Sequence, residues 1–292
     1  MIYHDHVPAP PLDDFVDRIW YCELPEPTHE FERRLPGGTM SLVVNLSEEC
    51  FRVYDGESGR VQTTPGALMV GALSSYEVLD TRSMAAILGV HFKPGGAFPF
   101  LAKAPAGHLT DGQVSLEDLW GRAAASELRE RLLEATTPAA RFAIVERELR
   151  ARVTRPLARH RAVRFALGEL ERTRGSMPMA EISQAVGLSA RRLIEAFKAE
   201  VGLTPKLFGR ILRFQSATET LFACPGVDHA SLAVSCGYYD QAHLIRDFRA
   251  FAGMTPASYV RDRGGHPSHV PLASSSSTGS IPSNRSSTAS GE

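Results

Sequence analysis

The spacing of apolar positions changes along this chain. From Gly37 it is short and β-rich, in the runs Met40 to Leu46, Phe51 to Tyr54, Val61 to Thr63, Ala67 to Val70 and Tyr76 to Leu79. Turn text such as Asp55-Gly56-Glu57-Ser58-Gly59 and Thr64-Pro65-Gly66 separates them. Ala85 to Phe92 is a longer apolar run and reads as a central strand. Strands at roughly ten-residue spacing predict a small antiparallel sandwich or barrel, a shape that can hold a ligand in its mouth. Ahead of them, Leu12, Phe15, Val16, Ile19 and Trp20 fall at helical spacing and predict a short amphipathic helix.

Beyond Ser115 the period is helical. Ser115 is placed to cap Leu116 to Trp120, with Asp118 completing a capping-box pattern. A helix over Arg122 to Glu134 follows, then one opened by Thr137-Pro138 with Phe142, Val145 and Leu149 on one face. Pro156 predicts the start of the next helix, with Val163, Leu167 and Leu170 as its stripe. Arginines and glutamates alternate between Glu127 and Arg152, which reads as a solvated face with local ion pairs.

The last part of the chain is written twice. Ser189, Leu193, Phe197, Gly202, Thr204 and Pro205 lie 51 residues before Asp240, Leu244, Phe248, Gly253, Thr255 and Pro256. Upstream the offset is 50, matching Ile182 to Leu232, Ser183 to Ala233 and Gly187 to Gly237. Two copies of one helix–turn–helix follow, the second with a longer turn. The first has helices over Pro178 to Val186 and Ala190 to Val201, with Ser183 and Gly187 as the small residues where the two cross. Pro205 to Ala223 is a helical strut between the copies. Its length, about 27 Å, suits two recognition helices in successive major grooves.

Charge supports that reading only after the chain is divided. The 292 residues sum to −1, which alone suggests no nucleic-acid partner. Residues 1–152 hold 15 Lys/Arg and 22 Asp/Glu (−7), whereas 153–263 hold 16 and 10 (+6). A basic half on an acidic half is the pattern of a binder attached to something else.

Turning the two second helices at about 100° per residue places their outward faces. With Leu193 and Phe197 buried, Arg191, Glu195 and Lys198 face out, flanked by Arg192 and Ile194. With Leu244 and Phe248 buried, Ala242, Arg246 and Arg249 face out, flanked by His243 and Ile245. Arginine can pair with guanine, glutamate can accept from cytosine, and apolar tips can touch thymine methyls. Lys198 and Arg249, further along, suit phosphates. Glu195 can instead pair with Arg191 or Arg192 in its own helix.

Other chemistry finds little support. Cys22, Cys50, Cys224 and Cys236 have neither zinc-knuckle nor disulfide-framework spacing. His4, His6, His29 and His91 lack metal-ligand spacing, and Glu48 and Glu49, adjacent on a strand, point to opposite faces. Lys93 to Leu101 has paired glycines near a lysine but matches no phosphate-binding motif, and reads as a tight turn out of a sheet. No catalytic site, metal or cofactor is indicated. The N-terminus has no signal-peptide pattern and no apolar stretch is long enough to span a bilayer, so a cytoplasmic, membrane-independent protein is expected.

Residues about 160–262 resemble the DNA-binding domain of the AraC/XylS family of bacterial transcriptional regulators. The matching text is ARRLIEAFKAEVGLTPKLFGRILRF and GYYDQAHLIRDFRAFAGMTPASY. The resemblance places base reading on Arg191, Ile194 and Glu195, and on His243, Ile245 and Arg246, with Gln241 contributing at the helix start. Ala242 at the centre of the second unit is a departure and implies weaker readout there. Leu88 to Gly95 resembles a segment of one subgroup that carries an N-terminal domain of unassigned ligand, without the histidine set of metal-binding cupins.

The expected protein is α+β. Residues 1–112 form a β-rich sensor, 113–153 a helical linker or dimerisation region, 154–263 the double helix–turn–helix, and 264–292 a disordered tail. The expected partners are double-stranded DNA, a small-molecule effector, a second copy of the chain and, for an activator, RNA polymerase. Two alternatives stand beside this: an alkyl-accepting repair protein with an accessory DNA-binding part, and a ligand-independent module that only dimerises.

Overall fold

The structure, a computed structural model, describes residues 2–24, 26–54, 61–102 and 104–272. The expected turn at 55–59 and the chain from 273 onward lie outside the described residues. The strands are β1 Ile2–His6, β2 Val16–Glu23, β3 Phe31–Arg34, β4 Ser41–Asn45, β5 Cys50–Tyr54, β6 Val61–Pro65, β7 Ala67–Val70, β8 Glu77–Asp80, β9 Ala86–Phe92, β10 Gln113–Ser115 and β11 His269–Leu272. Two antiparallel sheets result, ordered β1-β2-β9-β4-β7-β10 and β11-β3-β8-β5-β6.

Period-two alternation gives the first sheet two different faces. Ile19, Tyr21, Leu42, Val44, Met69, Leu88 and Val90 belong to a large core shared with the helices. Trp20, Val43, Leu68, Val70 and Ile87 point the other way and meet Phe51 of the second sheet. The central position expected of β9 is observed, between β2 and β4. Gly89 lies opposite Trp20 in register, and any side chain there would overlap the indole.

The helix expected over Leu12 to Trp20 is not formed. Leu12–Asp14 is a single 3-10 turn and the rest is β2. A register shift between Val16 and Arg18 against β9 resets the alternation. The buried positions Val16, Ile19 and Tyr21 therefore mimic the spacing of a helical stripe.

The helices are α1 Leu116–Trp120, α2 Arg122–Glu134, α3 Pro138–Ala151, α4 Arg161–Arg172, α5 Met179–Val186, α6 Ala190–Val201, α7 Pro205–Ala223, α8 His229–Ser235, α9 Gln241–Ala252 and α10 Pro256–Asp262. Ser115 and Thr137 cap α1 and α3 by accepting from Asp118 N and Ala140 N. α2 and α3 lie on the first sheet, where Arg141 stacks on Tyr21 and Arg129 donates to Asn45 O. Pro156 does not start α4. The chain there is pinned to the N-terminal half by Thr154 N to Pro99 O, 3.0 Å, and by Arg155 to Phe98 O, 3.0 Å. α4 starts at Arg161, capped by His160.

The passive tail expected from residue 264 also needs correction. Residues 269–272 form β11, which pairs with β3 from His269↔Arg34 to Leu272↔Phe31. Val270 is fully buried, Tyr259 Oη donates to Pro267 O at 2.7 Å, and His269 Nδ1 lies 2.8 Å from Glu32. A four-residue strand amid Ser-, Pro- and Gly-rich text carries too little pattern to be seen without the edge it completes.

Truncation after Arg263 is therefore expected to lower the unfolding free energy by about 2–4 kcal/mol, from lost Val270 burial and strand hydrogen bonds. Truncation after Leu272 retains β11. Urea unfolding of both truncated chains checks this, and equal midpoints would contradict it.

Candidate nucleic-acid interface

The two helix–turn–helix units are built by the same local chemistry. Ser189 and Asp240 cap α6 and α9, accepting from Arg192 N at 3.4 Å and His243 N at 2.7 Å. Gly202 and Gly253 end the same helices with φ of 93° and 64°. Thr204 and Thr255 then cap α7 and α10 ahead of a proline. The role expected of Gly187 changes. Its φ is 69° and a side chain there would meet nothing within 4 Å. It serves a left-handed turn rather than a close helix crossing.

Leu193, Phe197 and Val201 are buried along α6, and Leu244, Phe248 and Phe251 along α9. This leaves Arg191, Arg192, Ile194, Glu195 and Lys198 exposed on the first unit. On the second, Gln241, Ala242, Arg246 and Arg249 are exposed, while His243 and Ile245 are half-buried. Arg191 and Glu195 form the i,i+4 pair that the sequence left open, Nε to Oε1 2.9 Å. Both are well exposed, so the pair opens easily. Arg246 Nε donates to the Ala242 carbonyl at 3.4 Å. His243 stands edge-on to Tyr238, and its Nδ1 faces the Tyr239 amide at 3.5 Å.

Lys198 has a second neighbour. A side chain on Gly107 would lie 3.0 Å from Lys198 Cγ, so the lysine stem runs along the 3-10 turn Ala106–His108 of the N-terminal half. Thr110 Oγ1 donates to Gly202 O at the same end of α6. The second unit is held too. Arg33 donates to Ala252 O at 3.2 Å, and a side chain on Gly253 would overlap Tyr76.

The units are joined through α7, whose 19 residues span about 28 Å. Arg210 of α7 binds Asp247 of α9 at 2.7 Å, and Asp247 is 2% exposed. Arg213 donates to Gly175 O at 2.9 Å and lies over Tyr238. Gly175 and Gly209 pass so closely that a side chain on Gly175 would overlap the Gly209 backbone. Arg174, in the turn between α4 and α5, donates to Ser235 O of α8 at 2.7 Å, tying that turn to the second unit.

Residues 182–262 match the family described as a helix-turn-helix domain. The chain carries an AraC-type helix-turn-helix domain. It is the DNA-binding part of a transcription regulator. Residues 4–115 match a second family, described as a domain of unknown function (DUF6597). No curated protein matches this chain.

Among solved structures, the C-terminal domain of AraT, a response regulator from Geobacillus stearothermophilus, is similar at 21% identity. That match covers 36% of this chain and 87% of that one, with a TM-score of 0.34. A probable AraC family transcriptional regulator from Rhodopseudomonas palustris is similar at 26% identity, over 35% of this chain and 96% of that one, with a TM-score of 0.31. ToxT from Vibrio cholerae covers 89% of this chain and 97% of its own, at 9% identity and a TM-score of 0.44.

Two features of the AraC-type domain were missed in sequence. Tyr239, at the turn just ahead of α9, is 90% exposed, and Val234 of α8 is 70% exposed. The signal available was the Tyr238-Tyr239 pair, where burial of the first sends the second outward; Tyr238 is buried. No helix among the described residues is long and apolar enough to cross a membrane.

Asp247→Ala is expected to destabilise the AraC-type domain by about 1–3 kcal/mol. The value lies below that for a wholly buried pair because the Arg210 side chain keeps 35% exposure. Chemical denaturation of the full chain checks this, and a loss under about 0.5 kcal/mol would count against a structural role for the pair.

Proposed function

We propose that the chain reads two successive major-groove segments on one face of a duplex, with α6 and α9 as its reading helices. The observation that carries this is the pair of exposed, charge-bearing helix faces on two units that both pack on α7, α6 through Phe197 on Phe208 and α9 through Phe248 on Phe214 and Asp247 on Arg210. Arg191, Ile194 and Glu195 read bases in the first segment, and Arg246, His243, Ile245 and Gln241 in the second. Arg192, Lys198 and Arg249 hold phosphates. Opening the Arg191–Glu195 pair frees both side chains for bases.

The N-terminal sandwich is the regulatory half and responds to a small molecule. Support comes from the polar groups placed between its sheets. Ser41 Oγ and His91 Nδ1 lie 3.1 Å apart, and Trp20 stacks on His91. Buried Trp20 Nε1 and Arg34 Nε have no partner among the described residues. Burial pushes His91 down to about 4, so it stays a neutral donor–acceptor at physiological pH. The same half grips both reading units, so a change between the sheets alters how α6 and α9 sit. Self-association and contact with RNA polymerase complete the proposal for a cytoplasmic activator.

An alkyl-accepting repair role is less well supported. Burial pushes the Cys22 thiol up, away from the thiolate that such chemistry uses.

Selection of bound sites from random duplex DNA, followed by footprinting, tests the reading directly. Two protected segments about one helical turn apart are expected, and a single short segment would overturn it. Arg246→Ala should relax preference in one segment and cost about 1–3 kcal/mol on the selected site. Lys198→Ala should weaken all sequences evenly and reduce the salt slope by about 1. A titration against matched and mismatched duplexes over a salt series separates the two behaviours.

A further inference from the structure

Between the two units lies a cleft of about 590 Å³ that neither reading helix occupies. Met177 ahead of α5, Lys206, Arg210 and Arg213 of α7, and Arg246 and Asp247 of α9 line it. Four cations thus face one carboxylate, and that carboxylate is already engaged by Arg210. Lys206 is exposed on the rim, and among the described residues Arg246 meets only a carbonyl of its own helix. Arg213 Nε is buried with no partner among the described residues. The α7 N-terminus opens here as well, adding the positive end of a long helix dipole.

The excess of positive charge calls for an anion, and the position says which one. His243 and Arg246 belong both to this lining and to the outward face of α9, so the cleft opens on the side proposed to meet DNA. A duplex that admits α6 and α9 into successive major grooves presents a minor groove between them, bordered by two phosphate strands. One of those strands must cross α7 between the units.

We infer that this cleft is a third DNA-binding site, taking phosphodiester groups of the backbone midway between the two read segments. Lys206 makes the phosphate contact at the rim, while Arg210 and Arg213 add positive potential behind it. The site rests on the two-groove reading proposed above, but carries no base information. Its work is to fix the register of the duplex across the strut, so that both reading helices engage together.

The test uses the full chain and a duplex enriched from a random pool. Central phosphates between the two protected segments are replaced one at a time by neutral methylphosphonates. At one or two adjacent positions, affinity is expected to fall about five- to tenfold at 0.1 M salt, the effect of one lost phosphate contact. Lys206→Ala and Lys206→Gln should each cost a similar factor and lower the salt slope by about 1, while leaving sequence preference and the melting temperature unchanged. Combined with the sensitive methylphosphonate, they should cost nothing further.

Full additivity, or a gap without a sensitive phosphate, would overturn the inference while leaving two-groove reading intact. So would tight, Lys206-dependent binding of inorganic pyrophosphate in the absence of DNA, because the cleft would then serve a free anion. Failure to enrich any duplex would overturn both the reading and the site.

Discussion

Helix α7 is the constraint on which the arrangement depends. Its buried face serves several bodies at once. Phe208 packs on Phe197 of the first unit at 5.7 Å between ring centres, and Phe214 on Phe248 and Phe251 of the second at 5.0 and 5.2 Å. Gly38 of the N-terminal half rests on Phe208 and Ile211, and Gln215 donates to Gly37 O at 3.1 Å. Aromatic rings in close-packed surroundings have few ways to slide, so the strut fixes both the separation and the rotation of the reading helices.

The N-terminal half does more than sit beside this shaft. It reaches α6 through the Ala106–His108 turn and Thr110, and the second unit through Arg33 and Tyr76. Arg159 adds a further tie, donating to Asp14 O at 3.1 Å and to Pro94 O while stacking on Phe15. Cores of this kind rearrange between discrete packings rather than bending smoothly. Any ligand of the N-terminal half would act by favouring one packing over another, with an energy limited to its differential affinity for the two.

Much of the helical half was legible in sequence because its signals are local. Caps, left-handed glycines and apolar stripes at Ser189, Gly202, Asp240 and Gly253 each act within a few residues, and α5, α6, α7 and α9 are placed to within a residue or two. The outward faces of α6 and α9 were legible for the same reason, since burial of Leu193 and Leu244 dictates where their neighbours point. What escaped was non-local. The bulge in β2 disguised a strand as a helix, and β11 exists only because β3 offers an edge. Pro156 has the local character of a helix start, yet the surrounding chain is held by carbonyls far away in sequence. The cleft beside Lys206 needs three elements brought together, and no window of the chain contains them all.

The return of β11 to the second sheet has a consequence for how the molecule is made. The N-terminal sandwich is synthesised first, but its β3 edge is completed only by residues that follow the second DNA-reading unit. Until then β3 presents unpaired backbone groups to any passing strand, a hazard that open edges carry in general. A chain that stops short of His269 is thereby left with a sticky flank, while one that reaches Leu272 seals it. Closure of the sandwich edge is thus tied to completion of the chain beyond the second helix–turn–helix unit, and the last step of synthesis removes the flank most open to wrong pairing.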